Sequence, residues 1–287
     1  MKFFKIIYRD VQIDSHARFM QFLLSALLFL FLFFSFHFEV FHYFPLDLGS
    51  PKNVNQLGLS LGDVILVEIG GSLPRYDATY EQKITFPAAF FLVHVLPCCF
   101  TLNLVHDDLG QGGIQVLTRM GNTNVWWYSK CILNCFIVAC YYFSVFLIWI
   151  ILCNFTGKSI SLQPNADVFT AFFSAYCTEF MPSAELFCCM ILLPELVILT
   201  LSLCQMTLTL FIKPIFAFMI ICLYSILGFY CIHPLFLINY AMPVRNGTLG
   251  IYNFNTLFGM SLCLIIDFLA IFIGKHRLYY LDIIGER

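Results

Sequence analysis

Two carboxylic acids set within apolar runs, Glu195 and Asp267, are the residues with most chemical potential in this sequence. A carboxylate at bilayer depth costs about 2.5–3.5 kcal/mol on insertion scales, so each needs an inward-facing partner or a wet cavity. Glu195 follows Pro194, whose missing N–H frees a carbonyl and permits a kink, so this position could line a pathway or carry a proton. Asp267 is likewise a candidate pathway residue, with Lys275 one or two turns further on as the plainer explanation. The plain alternative for both acids is a structural hydrogen bond between helices. Arg245, behind Met242 and Pro243, falls between the last two apolar runs, where it could gate an exit or cap helices.

Other clusters are less suggestive. His37, Glu39 and His42 lack the His-Glu-x-x-His spacing of a zinc protease and read as interfacial polar residues. His106, Asp107 and Asp108 read as a solvated helix end, so no metal is assigned. Gly157-Lys158-Ser159 has the ending of a phosphate-binding loop, but Leu152 stands where that motif needs glycine. Paired inward carboxylates and a nucleophile beside a base are both missing from the pattern, which argues against an enzyme. Asn154-Phe-Thr and Asn246-Gly-Thr are formal glycan acceptors, read here as chance occurrences.

The elements that must hold these residues are set by composition. Of 287 residues 60% are hydrophobic and 11% charged, with mean hydropathy +0.85, far from a water-soluble domain. A hydrocarbon core about 30 Å thick takes roughly 20 apolar residues per helix. Spans are predicted at about Phe19–Phe44, Ile84–Leu104, Cys131–Cys153, Leu186–Phe211, Ile215–Leu237 and Tyr252–Gly274, in one membrane domain over residues 1–287. Val168–Met181, broken from the fourth span by Pro182, reads as interfacial, re-entrant or a seventh crossing. Leu57–Leu73, with its glycines, Asp63 and Glu68, reads as interfacial. The run from Phe19 is too long for a cleaved signal peptide and is taken as a retained helix. Most of the 13 cysteines lie inside apolar runs and read as small buried hydrophobes. The net charge of −2 gives no basic field for nucleic acid; the lipid bilayer is the expected partner.

Orientation follows from the loop charges. With the N terminus inside, Lys2, Lys5, Arg9, Arg18, Arg119, Lys130, Lys213, Lys275, Arg277 and Arg287 face the cytoplasm. Lys52, Arg75, Lys83, Lys158 and Arg245 face outward. This distribution predicts both termini in the cytoplasm and an even number of spans.

The loop His106–Lys130, then cytoplasmic, is more than a connector. Asp107 and Asp108 lead into Gly110, Gly112 and Gly113, and Ile114–Met120 reads as two helical turns. Ile114, Leu117 and Met120 share a face, while Gln115 and Arg119 sit four apart on another. Trp126 and Trp127 fall where an aromatic belt belongs, with Lys130 placed to snorkel toward headgroups. Such a helix can lie on a membrane surface or dock into a groove of another protein.

The string from Asp108 through Arg119 to Trp127 and Lys130 resembles the loop after the second helix in permease subunits of bacterial type 2 ABC exporters. Gly62-Asp63, Gly70-Gly71, Phe86-Pro87, Lys213-Pro214 and Asn239-Tyr-Ala-Met-Pro-Val-Arg245 add to the likeness, which is closest to short six-helix permeases of peptide or antibiotic export and immunity. The resemblance implies an all-α integral membrane protein with about six transmembrane helices, cytoplasmic termini and a short cytoplasmic coupling helix between helices 2 and 3. It implies that Ile114, Gln115, Leu117, Arg119, Met120, Trp127 and Lys130 meet an ABC ATP-binding subunit. ATP and Mg would sit on that subunit, with no cofactor in this chain. A second permease, identical or homologous, would complete the pathway, in a bacterial cell membrane. A non-transporting sensor or assembly protein, or a membrane-embedded enzyme, is the alternative.

Overall fold

A computed structural model of the chain describes residues 15–43, 58–72, 75–76, 82–83, 86–106, 123–173, 183–246 and 254–280. In chain order the helices are α1 (Ser15–Tyr43), α2 (Leu61–Ile69), α3 (Ala88–Phe100), α4 (Thr123–Phe155), α5 (Ala166–Phe173), α6 (Ser183–Leu208), α7 (Pro214–Tyr230), α8 (Leu237–Tyr240) and α9 (Thr256–Tyr280). Two-residue strands, Arg75–Tyr76 and Gln82–Lys83, pair antiparallel between α2 and α3.

An apolar helix occupies the core of each of the six predicted spans. Four of them, α1 over Phe19–Phe38, α4, α6 and α9, are long and apolar enough to cross a membrane. The 13 residues of α3 and 17 of α7 are equally apolar but shorter. At 1.5 Å per residue they reach about 20 and 26 Å, short of a core about 30 Å thick. The outer faces carry large exposed apolar side chains, among them Phe31, Phe38, Phe143, Leu257 and Phe268, over an area no water-facing surface would tolerate. The fold is that of a helical membrane protein.

Helix α6 is the hub. In its most apolar stretch 61% of residues are buried, against 28% in both α1 and α9, and it packs on α3, α4, α7 and α9. Two prolines inside helices are accommodated in different ways. Pro97 of α3 cannot donate to the Val93 carbonyl, and the Tyr141 hydroxyl of α4 donates to that oxygen instead, at 2.9 Å. Ahead of Pro194, α6 widens into a π-turn over Cys188–Leu192, with the Leu193 N–H donating to the Cys188 carbonyl. Trp149 fastens α4 to α1 by donating its indole N–H to the Phe29 carbonyl at 3.3 Å.

The stretch expected to be interfacial, Leu57–Leu73, folds differently: α2 is buried within the fold, with Val64 and Ile65 fully enclosed. Its Asp63 is used up by the helix's own start. Ser60 and Asp63 form a reciprocal capping box. One Asp63 carboxylate oxygen accepts from the Ser60 N–H at 2.8 Å and the Ser60 hydroxyl at 3.0 Å, and the other accepts from the Asn165 N–H at 2.7 Å. Burial, the largest influence, raises the Asp63 pKa, and these hydrogen bonds oppose it. Gly62 lets the backbone of Leu162 lie directly against α2, a space that a Cβ would fill. Of Val168–Met181, residues 168–173 belong to α5, where Val168 and Phe169 join the main core.

Candidate functional site

One end of the bundle gathers the residues on either side of positions 107–122. Val105, Trp126, Trp127, Cys131, Leu203, Met206, Leu210 and Leu278 form a small apolar cluster apart from the main core. Trp127 donates its indole N–H to the Ile271 carbonyl of α9 at 2.9 Å, and its ring fills the space left by Gly274, where a Cβ would collide with it. Trp126 is fully buried, and the Lys130 ammonium, also buried, lies 5.9 Å from its ring centroid. Lys275 lies over Tyr128 at 6.0 Å and Arg277 over Phe211 at 5.2 Å. The tryptophans and Lys130 therefore pack between helices rather than facing headgroups, because Gly274 opens a seat for an indole on α9. Ile114, Gln115, Leu117, Arg119 and Met120 lie outside the described residues. The ends that hold their segment do not: Val105 before it and Trp126 after it join in one cluster with the last turns of α6 and α9.

Glu195 lies at the middle of α6, half-buried, on the wall of a groove of about 440 Å³ between α6 and α4. Asp267 lies near the middle of α9 and is 8% exposed, close to Thr200 of α6, whose hydroxyl donates to the Leu196 carbonyl at 2.9 Å. Residues five apart on a helix point about 140° away from each other, so Glu195 and the Thr200–Asp267 pair occupy different faces of α6. The two acids are not brought together.

Arg245 is fully buried at the opposite end, where it closes the C terminus of α7. Its Nε–H donates to the Ser72 carbonyl at 2.9 Å. One terminal nitrogen donates to the Gly228 carbonyl at 3.2 Å and to the Asn239 side-chain oxygen. The other donates to the Phe229 carbonyl at 2.8 Å and reaches the Ser72 hydroxyl at 3.4 Å. A cation on the last carbonyls of a helix also complements its dipole. Of the two roles open to Arg245 from sequence, this geometry is that of a helix cap.

The remaining motifs resolve into structure. Gly157, at φ +69°, ends α4 in a Schellman turn: Lys158 N–H donates to the Cys153 carbonyl at 2.9 Å and Gly157 N–H to the Asn154 carbonyl at 3.3 Å. Gly157-Lys158-Ser159 is thus a helix stop whose last residue pairs with the start of α2, the Ser159 carbonyl accepting from the Leu61 N–H at 3.0 Å. Asn246 is buried, with its amide donating to the Thr256 hydroxyl at 2.6 Å. His37 packs its ring against Phe33 and Phe36 at centroid distances of 5.1 and 5.8 Å.

One feature was missed by sequence reasoning: a polar seam linking α3, α4 and α6. Ser202 and Thr101 hydroxyls lie 2.9 Å apart, Ser202 donates to Asn134 Oδ1 at 2.7 Å, and Gln205 donates to the Cys98 carbonyl at 3.0 Å. Asn134 and Gln205, amides inside apolar runs, were its visible signal.

No family model, curated protein or solved structure matches the chain.

Proposed function

We propose that this chain is the membrane-spanning permease subunit of an ATP-driven exporter, working with a separate ABC ATPase in a bacterial cell membrane. In this reading α1, α3, α4, α6, α7 and α9 are six spans, α3 and α7 completed by their flanking residues, with both termini cytoplasmic. The lysines and arginines Lys130, Lys213, Lys275 and Arg277 favour that orientation. ATP and Mg bind the partner, and this chain carries no ATP site. A second permease, a copy or a homologue, completes the pathway for a peptide, antibiotic or lipid-like molecule.

The observation that carries the reading is the setting of the Asp108–Lys130 string. Both ends of its loop are tied into the apolar cluster that also holds the ends of α6 and α9. A push delivered to the ends of this loop at Val105 and Trp126 would reach the hub helix and the last helix as rigid-body movement. Trp127 and Lys130 act as anchors of the loop, and Ile114, Gln115, Leu117, Arg119 and Met120 supply its docking face.

The test replaces Leu117→Asp together with Arg119→Glu. The expected result is loss of the ATPase subunit on purification, with the chain still inserted and folded. Retained partner and unchanged transport would remove the coupling-loop assignment.

A further inference from the structure

We infer that the groove between α4 and α6 is a binding site for a lipophilic organic cation that reaches it from the bilayer. This assignment rests on the chemistry of the groove and is independent of the transport reading.

The groove encloses about 440 Å³ and is lined in its centre by Tyr142, Phe143 and Phe146 of α4 and by Phe187, Ile191 and Glu195 of α6. That volume lies in the range of small-molecule sites, about 300–1,000 Å³. Phe187, Ile191 and Glu195 recur every four residues, on one face of α6, and the π-turn falls between Phe187 and Pro194. π-Turns of this kind are common at functional positions. The groove opens sideways: Phe143 is 68% and Phe187 46% exposed, so its mouth faces lipid.

Charge identifies the occupant. Glu195 lies at the middle of α6, a helix long enough to cross a membrane, and among the described residues nothing pairs with it as a hydrogen-bond donor or cation. On the same groove the Tyr142 hydroxyl is buried and without a hydrogen-bond partner among the described residues, Tyr142 being 1% exposed. Two polar groups left unmatched at one spot in an apolar wall mark a place where something else is received. A lone carboxyl in an apolar wall ionises when a cation arrives to offset its desolvation, and the ionised form repels an anion. A divalent metal ion needs six or more oxygens or a set of nitrogen and sulfur ligands, and one carboxylate with one phenol does not supply them. A neutral lipid makes no use of that charge. An amine or quaternary cation with apolar substituents answers it, and the rings of Tyr142, Phe143, Phe146 and Phe187 offer π-faces to the same charge.

The test uses the full chain in lipid nanodiscs, with radiolabelled tetraphenylphosphonium as probe and unlabelled tetraphenylphosphonium as competitor; tetraphenylborate, of the same shape and opposite charge, is measured in a separate titration. Saturable binding near one cation per chain is expected, with no saturable binding of tetraphenylborate. Glu195→Gln is expected to weaken it about tenfold or more, since one partner of a desolvated charge pair is removed. Glu195→Asp keeps the charge and retains most of the affinity, and Tyr142→Phe costs about threefold. Unfolding midpoints of each variant establish that the fold is intact. Absence of saturable binding to the wild-type chain, equal affinity in Glu195→Gln, or equally saturable binding of tetraphenylborate on its own would overturn the assignment.

Discussion

Replacing Arg245 by methionine keeps most of the side-chain volume and removes every donor. Three backbone carbonyls, of Ser72, Gly228 and Phe229, and the Asn239 side-chain oxygen then lose the guanidinium in a buried site. Leaving one buried acceptor unmade costs about 1–3 kcal/mol, and the charge–dipole contact at a helix C terminus up to about 2 kcal/mol. The acceptors share one side chain and relax together, so these losses do not add, and the expected total is about 3–5 kcal/mol. Against a typical stability of about 5–15 kcal/mol that is a large loss. In thermal unfolding of the purified chain in micelles, Arg245→Met should lower the midpoint by on the order of 10 °C. Arg245→Lys should recover only part of it, since an ammonium cannot reproduce the planar fork. Asn239→Ala in the methionine background should cost less than in the wild type, because its partner is already gone. A midpoint within about 1 °C of wild type for Arg245→Met would refute the capping role and return the residue to the exit pathway.

Four further outcomes follow from the same geometry. Trp127→Ala removes a buried indole and its bond to Ile271, and should cost about 3–5 kcal/mol in the same unfolding assay; a change near zero would mean the end cluster is not cohesive. Gly274→Ala places a methyl against that indole and should cost about 1–3 kcal/mol, with a smaller penalty when Trp127 is already alanine. Burial raises the Asp63 pKa, so the native state holds this proton more tightly than the unfolded chain, and ionisation costs stability as pH climbs from 3.8 through the higher native value. Wild type should therefore gain on Asp63→Asn as pH falls through that window, and the opposite trend in unfolding midpoints would show that the three hydrogen bonds outweigh desolvation. A cysteine at Lys275 should react with an impermeant maleimide only after the membrane is opened, whereas one at Lys158 should react in intact cells; the reverse pattern would invert the topology.

Much of the fold was legible because bilayer thickness and hydrophobic run length are strong, local signals. The four long helices α1, α4, α6 and α9 fall within a few residues of the predicted spans at three of their four starts, α4 beginning eight residues earlier at Thr123. That early start takes in Trp126 and Trp127, which read as interface residues but are buried, Trp127 against a glycine 147 positions further along, a pairing no local pattern encodes. The burial of α2 was illegible for a similar reason: its glycines and Asp63 signal an interfacial segment until their partners at Leu162 and Asn165 are known. Arg245 was visible as a charge beside apolar runs, while its choice between gate and cap depended on where the end of α7 lies. Glu195 could be flagged from sequence as a costly carboxylate, yet the groove around it needed the side chains of α4, and Tyr142 carries no sequence mark that separates it from the other 13 tyrosines.

The central claim, that this chain is one part of an ATP-driven exporter, is tested most directly by purifying it in mild detergent from its native membrane and identifying what accompanies it. The account predicts a stoichiometric ATP-binding subunit and ATP hydrolysis by the complex. A chain that purifies without such a subunit, and hydrolyses no ATP, would contradict it.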